Sequence, residues 1–330
     1  FGSLLSVLFL FAVPVVLLAC IFPFAVRLSI KNTASSGDVT GRLYALSTIG
    51  SLVGTFAPVF LLIPAWGTRR TIIVISSLVL IVSIAGLFHI ARRRAVLYLL
   101  LLLFVLALQL LPQGFIKPVQ GMIYEVDSAY NYIQVIQNGD EILLKLNEGE
   151  GIQSVYRRQQ ILTGYVYDYF LLVPFFRKQQ HSPPVNNLCI LGLAGGTTAR
   201  QYSAVFGALP IDGIEIDPAI IDVGRRFFAL DMPNLRVLIE DGRYYFVHST
   251  QRYDVIIIDA YRPPYIPFQL TTVEFFRQVY DHLTSDGVVA INVARTETDY
   301  RLVDTIADTM KVVYPSVYIL DTRSDLNSVV

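Results

Sequence analysis

Hydrophobic and polar positions divide the chain into two parts with different patterns. Residues 2–26 contain no charged side chain, and three more apolar runs follow at residues 43–66, 71–90 and 95–111. A run of about 20 apolar residues can cross the hydrocarbon core of a bilayer as a helix. The pattern therefore predicts a transmembrane helical region over residues 1–112 with about four spans, of which the fourth is the shortest.

The apolar runs have the features of a membrane anchor. Pro14 and Pro23 are expected to kink the first helix, and the first run is too long for a signal peptide and lacks its basic start. Gly50 and Gly54 either bring two helices into close contact or are merely tolerated in an apolar helix. The four runs contain no Asp, Glu, Lys or Arg, the residues that line proton and ion pathways. We therefore interpret the region as an anchor or part of one.

The basic residues leave the orientation of this region open. The first and third connections between the runs carry six Lys and Arg residues, and the second carries two. The positive-inside rule then places the first and third connections in the cytoplasm, and four complete spans would place the C-terminal half on the opposite side. Three explanations stay open: the fourth run does not cross fully, further spans lie outside this sequence, or the C-terminal half faces outward. We favour a cytoplasmic C-terminal half.

Beyond the apolar runs, hydrophobic residues alternate with polar ones. Residues 124–137 and 141–146 have the alternation of a half-buried antiparallel sheet, and an Asn-Gly-Asp turn at residues 138–140 is typical of a hairpin. Residues 154–176 are predicted to be helical. We therefore expect residues 118–180 to form a substrate-side subdomain with a small β-sheet and a helix.

Strands and helices alternate over residues 181–330. The predicted strands are residues 188–191, 211–216, 236–240, 255–259 and 288–293, and the predicted helices include residues 219–228 and 272–283. Such alternation implies an α/β domain with a parallel sheet that helices cover on both faces. Ligands bind such sheets at the carboxyl ends of the strands, so we assign residues 181–330 as the nucleoside-binding catalytic domain.

A glycine-rich turn follows the first of these strands. Gly192, Gly195 and Gly196 lie where the chain must turn sharply from strand to helix and let a ligand approach bare backbone. Glu215 lies 23 residues beyond Gly192, at the end of the next apolar run. A carboxylate there can accept hydrogen bonds from both hydroxyls of a ribose. The spacing predicts that this half of the chain binds an adenosine-type ligand.

Further carboxylates follow strands at the same edge. Asp241, before Gly242, either accepts from an adenine amino group or caps a helix, and Asp217 is interpreted mainly as an N-cap with proline after it. Asp259 ends a very apolar run, where partial desolvation suits a base or a group that orients an amine; capping in the next loop is the alternative. Tyr261 opens a loop with three prolines that either covers the crevice as a lid or docks on the membrane half. Asp259 and Tyr261 are the candidate catalytic residues.

Composition narrows the class of protein. The 330 residues have a formal charge of zero, which gives no bulk attraction for nucleic acid. The hydrophobic fraction of 54% and the mean hydropathy of +0.53 are too high for an ordinary soluble enzyme. The two cysteines lie in separate apolar segments and the four histidines show no ligand spacing, so neither a disulfide nor a metal site is predicted.

At the strand ends the chain resembles the spermidine synthase family of polyamine aminopropyltransferases, in particular its membrane-fused bacterial members. The family's Glu-Ile-Asp motif is matched at Glu215, its Asp-Gly motif at Asp241, and its Tyr-Asp-x-Ile-x-x-Asp strand at Asp259. The resemblance covers about residues 121–325 and implies a Rossmann-like, class I methyltransferase-like α/β fold. It also implies ribose binding by Glu215, adenine binding at Asp241 and Gly242, and a catalytic role for Asp259.

The small sheet adds two residues to this resemblance. Residues 128–135 are similar to the family's Ser-x-Tyr-Gln-x-Ile-x-Val strand, with Asn131 in place of Gln. Gln153 resembles the Gln that follows the family's Leu-Asp-Gly turn. The resemblance implies that both residues bind the cofactor.

Two positions depart from the family pattern. Gly195 stands where the family has the Asp that holds the amine of the donor, and Arg262 stands where it has a second polyamine-binding Asp. A cation in place of an anion changes the interaction with a polycation by a few kcal/mol at about 4 Å and an effective dielectric constant of about 20. The nucleoside half of the site matches the family, whereas the polyamine half does not.

Three functions are compatible with these residues. The resemblance implies a membrane-anchored transferase that uses no metal and moves an aminopropyl group from decarboxylated S-adenosylmethionine to a small-molecule amine. The second is a methyltransferase that uses S-adenosylmethionine itself, whose carboxylate could pair with Arg262. The third is a nucleoside-binding sensor or a transporter-associated module without turnover. The resemblance further implies a homodimer in the bacterial inner membrane, in contact with the lipid bilayer. The zero formal charge argues against a nucleic-acid partner, and the cytosolic supply of adenosine cofactors favours a cytoplasmic soluble domain.

Overall fold

The structure, a computed structural model, describes residues 2–30, 36–108, 114–147, 151–177, 185–261, 266–323 and 326–330. The chain forms two compact units, Phe1–Leu111 and Pro112–Val330. The helices described in the first unit are α1 (Gly2–Ser29), α2 (Ser36–Ala57), α3 (Ile63–Ile90) and α4 (Arg92–Ala107), with a π-helical turn at Pro58–Leu62 between α2 and α3.

Among the described residues of the first unit, three segments are long and apolar enough to cross a membrane. They are Leu4–Ser29, Ser36–Leu62 and Ala65–Phe88. The fourth predicted run corresponds to α4, which has 16 residues and rises only about 24 Å. That length is less than a hydrocarbon core of roughly 30 Å, so α4 is too short to cross such a core as a straight helix.

Helical geometry in this unit is interrupted at a glycine. Gly67, within α3, has φ +79° and ψ 164°, a backbone conformation that glycine adopts without the clash of a Cβ. Pro14 and Pro23 lie inside α1, which is helical through both.

The second unit begins with a small antiparallel sheet. Its strands are β1 (Met122–Asp127), β2 (Tyr132–Asn138), β3 (Glu141–Leu146) and β4 (Ile152–Arg157), and they pair in sequence order. The alternating pattern and the hairpin turn predicted this meander. The sequence did not reveal that the first alternating stretch is two strands joined by a turn at residues 128–131.

The helix predicted over residues 154–176 is largely wrong. The first of these residues, up to Arg157, belong to β4, and helical turns are confined to α5 (Tyr167–Phe170) and a 3₁₀ turn (Val173–Phe176). The Asp168 carboxylate accepts hydrogen bonds from backbone N–H groups four and five residues before it, at 2.7–3.1 Å. Such local side-chain bonds compete with helical hydrogen bonds, so the helix cannot extend toward β4.

The second sheet is predominantly parallel. Its strands are β5 (Leu188–Leu191), β6 (Ile211–Glu215), β7 (Leu235–Ile239), β8 (Tyr253–Ile258), β9 (Leu283–Ala294), β10 (Leu320–Asp321) and β11 (Asn327–Val329). The described strands lie in the order β10-β11-β9-β8-β5-β6-β7, and β10 and β11 pair antiparallel. The connecting helices are α6 (Thr197–Phe206), α7 (Pro218–Phe227), α8 (Gly242–His248), α9 (Val273–Asp281) and α10 (Arg301–Lys311). The predicted parallel sheet with helices is thereby confirmed.

The two central strands contribute to cores on both faces of this sheet. All residues of β5 and β8 are buried, which explains why β5 and residues 255–258 of β8 are continuous apolar runs. Ile190 and Ile257 pack in one core, and their neighbours Leu191 and Ile258 pack in the other. Val155 of β4 belongs to the first core, so the small sheet packs on that face.

The chain changes direction across the sheet at β5. From β5 it continues to β6 and β7 on one side, whereas β8 and β9 lie on the other. In such sheets the ligand crevice lies outside the carboxyl ends of the strands at this point. The site is therefore expected where β5, β6 and β8 end.

Candidate active site

The turn after β5 depends on two glycines with positive φ. Gly192 has φ +89°, and a Cβ at this position would lie 2.4 Å from the backbone oxygen of Asp259. Gly196, with φ +82°, precedes α6, and a Cβ there would lie 2.2 Å from Leu230 Cδ1. The turn therefore passes directly against the end of β8. The sequence analysis singled out both glycines for a sharp turn and for the approach of a ligand; the structure shows the turn, and the atoms that approach these two glycines belong to the protein.

Glu215, the last residue of β6, faces the glycine turn. Its side chain is 7% exposed; Oε2 accepts from the Ala194 N–H (3.0 Å) and Oε1 from the Asp217 N–H (3.2 Å). Ala194 has φ +48°, a conformation that costs a non-glycine residue about 1–3 kcal/mol. Each carboxylate oxygen can accept about two hydrogen bonds, so both oxygens retain capacity for ligand hydroxyls.

The ionisation of Glu215 is shifted into the neutral range. Burial raises the pKa of Glu215 to about 7; the nearby backbone N–H groups of Ala194, Asp217 and Ile216 oppose this rise, and the charge of Asp217 adds to it. The carboxyl therefore changes between its neutral and ionised forms near pH 7. Its ionised form is the stronger hydrogen-bond acceptor.

Asn131 contacts the loop after β6. Its Nδ2 donates to Asp217 Oδ2 (3.0 Å), and its Oδ1 accepts from Asn147 Nδ2 (3.1 Å). Ser128 Oγ donates to the same Asp217 oxygen at 2.5 Å. Both ends of the Asn131 amide thus have protein partners, a connection that the residue's predicted cofactor role did not anticipate.

Gly195 is packed against the small sheet. Its N–H donates to Ser154 Oγ (2.8 Å), and a Cβ at this position would lie 2.9 Å from Ser154 Cβ and 3.0 Å from Phe228 Cγ. Gln153, the predicted cofactor ligand beside Ser154, is half-buried on β4. The position where the resemblance expects an acidic side chain therefore has no room for one unless its neighbours move.

Gly195→Ala is expected to lower the free energy of unfolding by about 1–3 kcal/mol, because an added methyl overpacks this contact. Thermal unfolding of the purified full chain in detergent measures the loss. Gly114→Ala is the matched control, because no atom lies within 4 Å of a Cβ at Gly114. Equal stability of the two variants would show that Ser154 moves to accommodate the added methyl group at little cost in free energy.

Asp241 caps α8. Its Oδ1 accepts from the Arg243 N–H (2.9 Å) and the Tyr244 N–H (3.0 Å). Both bonds end on Oδ1, so capping does not use Oδ2. A Cβ at Gly242 would lie 1.8 Å from Leu191 Cδ1, which brings the start of α8 against the end of β5. The capping interpretation is thus seen in the structure, and the adenine role stays a prediction.

Asp259 is held by a residue that the sequence analysis missed. Its N–H donates to the Leu191 oxygen (2.8 Å), and its Oδ1 accepts from Asn292 Nδ2 (2.9 Å). Asn292 lies on β9 and is 7% exposed. A single amide within the apolar run 288–293 was the signal that could have identified it.

The Tyr261 hydroxyl is bonded to the backbone of β9. It accepts from the Ala294 N–H (2.6 Å) and donates to the Asn292 oxygen (3.2 Å). Burial raises the pKa of Tyr261, and the charge of Asp259 adds to the rise, whereas the Ala294 N–H opposes it. The residue thus anchors the start of the proline-rich loop. Arg262 and the rest of residues 262–265 lie outside the described residues.

The structure brings four predicted residues to one sheet edge. They lie at the carboxyl ends of β5, β6, β7 and β8, which run parallel side by side, and are Gly192, Glu215, Asp241 and Asp259. A cavity of about 490 Å³ lies elsewhere, beside the beginning of β9, and none of the predicted site residues lines it. We place the site at the sheet edge because the carboxylates and glycines meet there. The described residues contain no group of three or more His, Cys, Asp or Glu side chains arranged to hold a metal ion.

The sequence of the second unit is similar to that of proteins of known family. Residues 178–323 match the family model of the spermine/spermidine synthase domain. A probable polyamine aminopropyl transferase of Bifidobacterium longum is 38% identical over 173 residues, which cover 52% of this chain and 37% of that protein. A polyamine aminopropyltransferase of Vibrio vulnificus is 29% identical over 208 residues, which cover 60% of this chain and 66% of that protein. The chain thus spans roughly a third to two thirds of the length of these relatives.

Solved structures confirm the predicted fold. A probable spermidine synthase from Corynebacterium glutamicum has a TM-score of 0.53 at 20% identity over 64% of this chain and 79% of that one. A spermidine synthase in complex with the transition-state analogue AdoDATO has a TM-score of 0.52 at 22% identity over 63% of this chain and 71% of that one. The second unit has the Rossmann-like, methyltransferase-like α/β fold of these proteins. Over residues 178–323, this chain is therefore similar in sequence to the spermine/spermidine synthase domain and to named polyamine aminopropyltransferases.

Proposed function

We propose that the chain is a membrane-anchored aminopropyltransferase that moves the aminopropyl group of decarboxylated S-adenosylmethionine to a small-molecule amine. The relatives with which it shares its second unit are named polyamine aminopropyltransferases. The observation that carries the proposal is the buried Glu215 carboxylate at the glycine turn, with Asp259 at the end of a neighbouring strand.

The donor is proposed to bind through its nucleoside. Ionised Glu215 accepts hydrogen bonds from both ribose hydroxyls, because its two backbone donors leave lone pairs on each oxygen. Asp241 Oδ2 accepts from the adenine amino group, since helix capping uses Oδ1. Gly192 lets the glycine turn pass against the backbone of Asp259, which places Asp259 beside the turn that would hold the nucleoside.

The transfer is a nucleophilic substitution at carbon. The acceptor nitrogen attacks the propyl carbon next to the sulfonium; the N–C bond forms, the C–S bond breaks, and the electron pair leaves with neutral methylthioadenosine. The new ammonium then loses a proton. Asp259, held by Asn292 at 2.9 Å, orients the attacking amine or accepts this proton. Alignment of the two reactants supplies much of the rate, because the sulfonium is already an activated leaving group.

The negative charge at this sheet edge favours the binding of cationic substrates. Glu215, Asp241 and Asp259 are carboxylates at the ends of β6, β7 and β8, on the same edge of the sheet, and such a group of charges attracts the sulfonium and an ammonium. Gly195 supplies no carboxylate for the donor's own amine, so its recognition must differ from the pattern that the family resemblance implies. The acceptor amine is therefore best identified by experiment.

Calorimetric titration of the full chain in detergent tests the donor. We expect tighter binding of decarboxylated S-adenosylmethionine than of S-adenosylmethionine, followed by methylthioadenosine release when a diamine is added. Preference for the carboxylated cofactor, with methyl transfer, would instead establish a methyltransferase. Tight nucleoside binding with no product from any amine would establish a sensor.

The proposal extends to location and assembly. We propose that helices α1 to α3 anchor the chain in a bacterial inner membrane, that the second unit lies in the cytoplasm, and that the protein forms a homodimer. The three apolar segments support the anchor. Light scattering of the detergent-solubilised chain measures the protomer number.

A cysteine placed in the second unit tests the orientation. Gln251 is exposed, and Cys189 is buried, so Gln251→Cys in a Cys20→Ser background offers one accessible thiol in this unit. We expect a membrane-impermeant maleimide to label it after cell permeabilisation and to leave it unlabelled in intact cells. Labelling of intact cells would place the unit outside the cytoplasm.

A further inference from the structure

Asp217 uses its carboxylate in two directions. The side chain is fully buried, with 0% exposure, and Oδ1 accepts from the Ala219 N–H (3.0 Å) as the N-cap of α7. Oδ2 accepts from Ser128 Oγ (2.5 Å) and Asn131 Nδ2 (3.0 Å), in the turn between β1 and β2. Helix capping therefore accounts for only one of the three bonds to this carboxylate.

Asp241 shows what capping alone requires. It occupies the equivalent place after β7, and both of its described cap bonds run from Oδ1 to the N–H groups of its own helix. The second carboxylate oxygen of Asp217 instead accepts hydrogen bonds from residues almost ninety positions earlier in the chain. A buried carboxylate needs several donors to offset its desolvation, and here two of them come from the small sheet.

The turn that holds Asp217 is itself fixed. Ser128 Oγ accepts from the N–H groups of Tyr130 (3.1 Å) and Asn131 (2.8 Å). Asn131 Oδ1 accepts from Asn147 Nδ2 (3.1 Å), and Asn147 Oδ1 accepts from the Tyr132 N–H (3.2 Å). The donors to Asp217 therefore have defined positions relative to the small sheet.

The backbone of Asp217 connects this network to the ribose site. Its N–H donates to Glu215 Oε1 (3.2 Å), so the position of the Asp217 main chain helps to set the orientation of the Glu215 carboxylate. We propose that Asp217, held by Ser128 and Asn131, is a positioning residue that orients Glu215 for the ribose. In this proposal, which rests on the proposed donor binding, Asn131 sets donor affinity through Asp217 and not by contact with the nucleoside.

A double-mutant cycle tests the proposal, because coupled residues lose their separate effects when their common partner is changed. Methylthioadenosine is titrated calorimetrically into the full chain in detergent, as wild type, Ser128→Ala and Asn131→Ala, each also combined with Glu215→Gln. Loss of one hydrogen bond to Asp217 should weaken binding by about three- to tenfold in the wild-type background. In the Glu215→Gln background the same changes should have almost no effect.

Equal factors in the two backgrounds would overturn the proposal, since they would show that Asn131 or Ser128 acts independently of Glu215. Unchanged affinity of Asn131→Ala and Ser128→Ala alone would also overturn it, while leaving ribose binding by Glu215 intact. Unchanged affinity of Glu215→Gln alone would instead overturn the proposed function.

Two further variants separate positioning from loss of folding. Ser128→Thr keeps the hydroxyl and should restore near wild-type affinity. Thr272→Ala removes the N-cap hydrogen bond of α9, in which Thr272 Oγ1 accepts from the Phe275 N–H (3.2 Å), so it should lower the thermal midpoint without a change in affinity. Weakened binding in Thr272→Ala to the same extent as in Ser128→Ala would attribute the effect to general destabilisation and would contradict the proposal.

The pH profile gives an independent readout. The negative charge of Asp217 contributes to the raised pKa of Glu215, so Asp217→Asn should move the pH at which affinity declines to a lower value. A variant that only damaged the fold would reduce affinity at every pH without changing the pH at which affinity declines.

Discussion

Asp259→Asn is expected to lower turnover by about 100-fold or more, since a positioned base contributes roughly 10²–10⁴-fold, while nucleoside affinity stays unchanged. The Asp259 Oδ1 atom accepts a hydrogen bond from Asn292 (2.9 Å). Asparagine keeps an oxygen for this bond but cannot accept the proton of the attacking amine. Turnover at saturating donor and the Kd for methylthioadenosine measure the two effects separately.

Asp254 offers a matched control on the same strand. Its carboxylate lies near the start of β8, where it forms an ion pair with Arg177 (3.5 Å) and accepts from the Asn186 N–H (2.9 Å). Asp254→Asn should lower the thermal midpoint and leave turnover per folded molecule intact. Wild-type turnover in Asp259→Asn would remove Asp259 from the mechanism.

Glu215→Gln is expected to weaken methylthioadenosine binding about 10- to 100-fold, because hydrogen bonds to a charged group contribute roughly 1.5–3 kcal/mol. The substitution preserves shape but replaces one acceptor oxygen with a donor. That donor faces one of the two backbone N–H groups now bonded to the carboxylate, so the thermal midpoint must be measured alongside. A folded variant that binds as tightly as wild type would contradict the role of Glu215.

The same carboxyl predicts the pH dependence of affinity. Burial raises the pKa of Glu215 to about 7 from an ordinary value of 4.5, and the proposed contact requires the ionised form. Below pH 7 a proton must leave before the ribose binds, so affinity should fall as the pH decreases, by at most about tenfold per pH unit. Above about pH 8 affinity should be constant, and Glu215→Gln should lack this dependence. The affinity of the wild type is measured in a series of buffers. An affinity that does not change with pH would exclude the loss of a proton from Glu215 when the ligand binds.

Much of the catalytic fold could be predicted because its central strands are buried on both faces. The run at β5, Leu188–Leu191, is recognisable as a strand from its apolar side chains and the glycine that follows. The positions of Gly192, Glu215 and Asp259 follow from the same logic, since parallel strands bring their carboxyl ends to one edge. This part of the site could therefore be predicted from the sequence, because buried strands are recognisable by their apolar residues and the parallel topology fixes where the strands end.

The remaining contacts depend on residues that are distant in sequence. Periodicity gave no indication that Asn131 bonds to Asp217, or that Ser154 fills the space beside Gly195. β4 was interpreted as a helix because its pairing with β3 is a tertiary contact, and tertiary contacts override local propensity. The amide of Asn292 was missed for the same reason, since its partner Asp259 lies on a neighbouring strand.

Removal of a single ligand hydroxyl tests the central claim most directly. Methylthioadenosine and its 2′-deoxy analogue are titrated into the wild-type chain and into Glu215→Gln. If Glu215 binds the ribose diol, the deoxy analogue should bind about tenfold more weakly than methylthioadenosine to the wild type and almost equally to the variant. The same loss for the deoxy analogue in both proteins would show that the hydroxyl is bound elsewhere and would contradict the account.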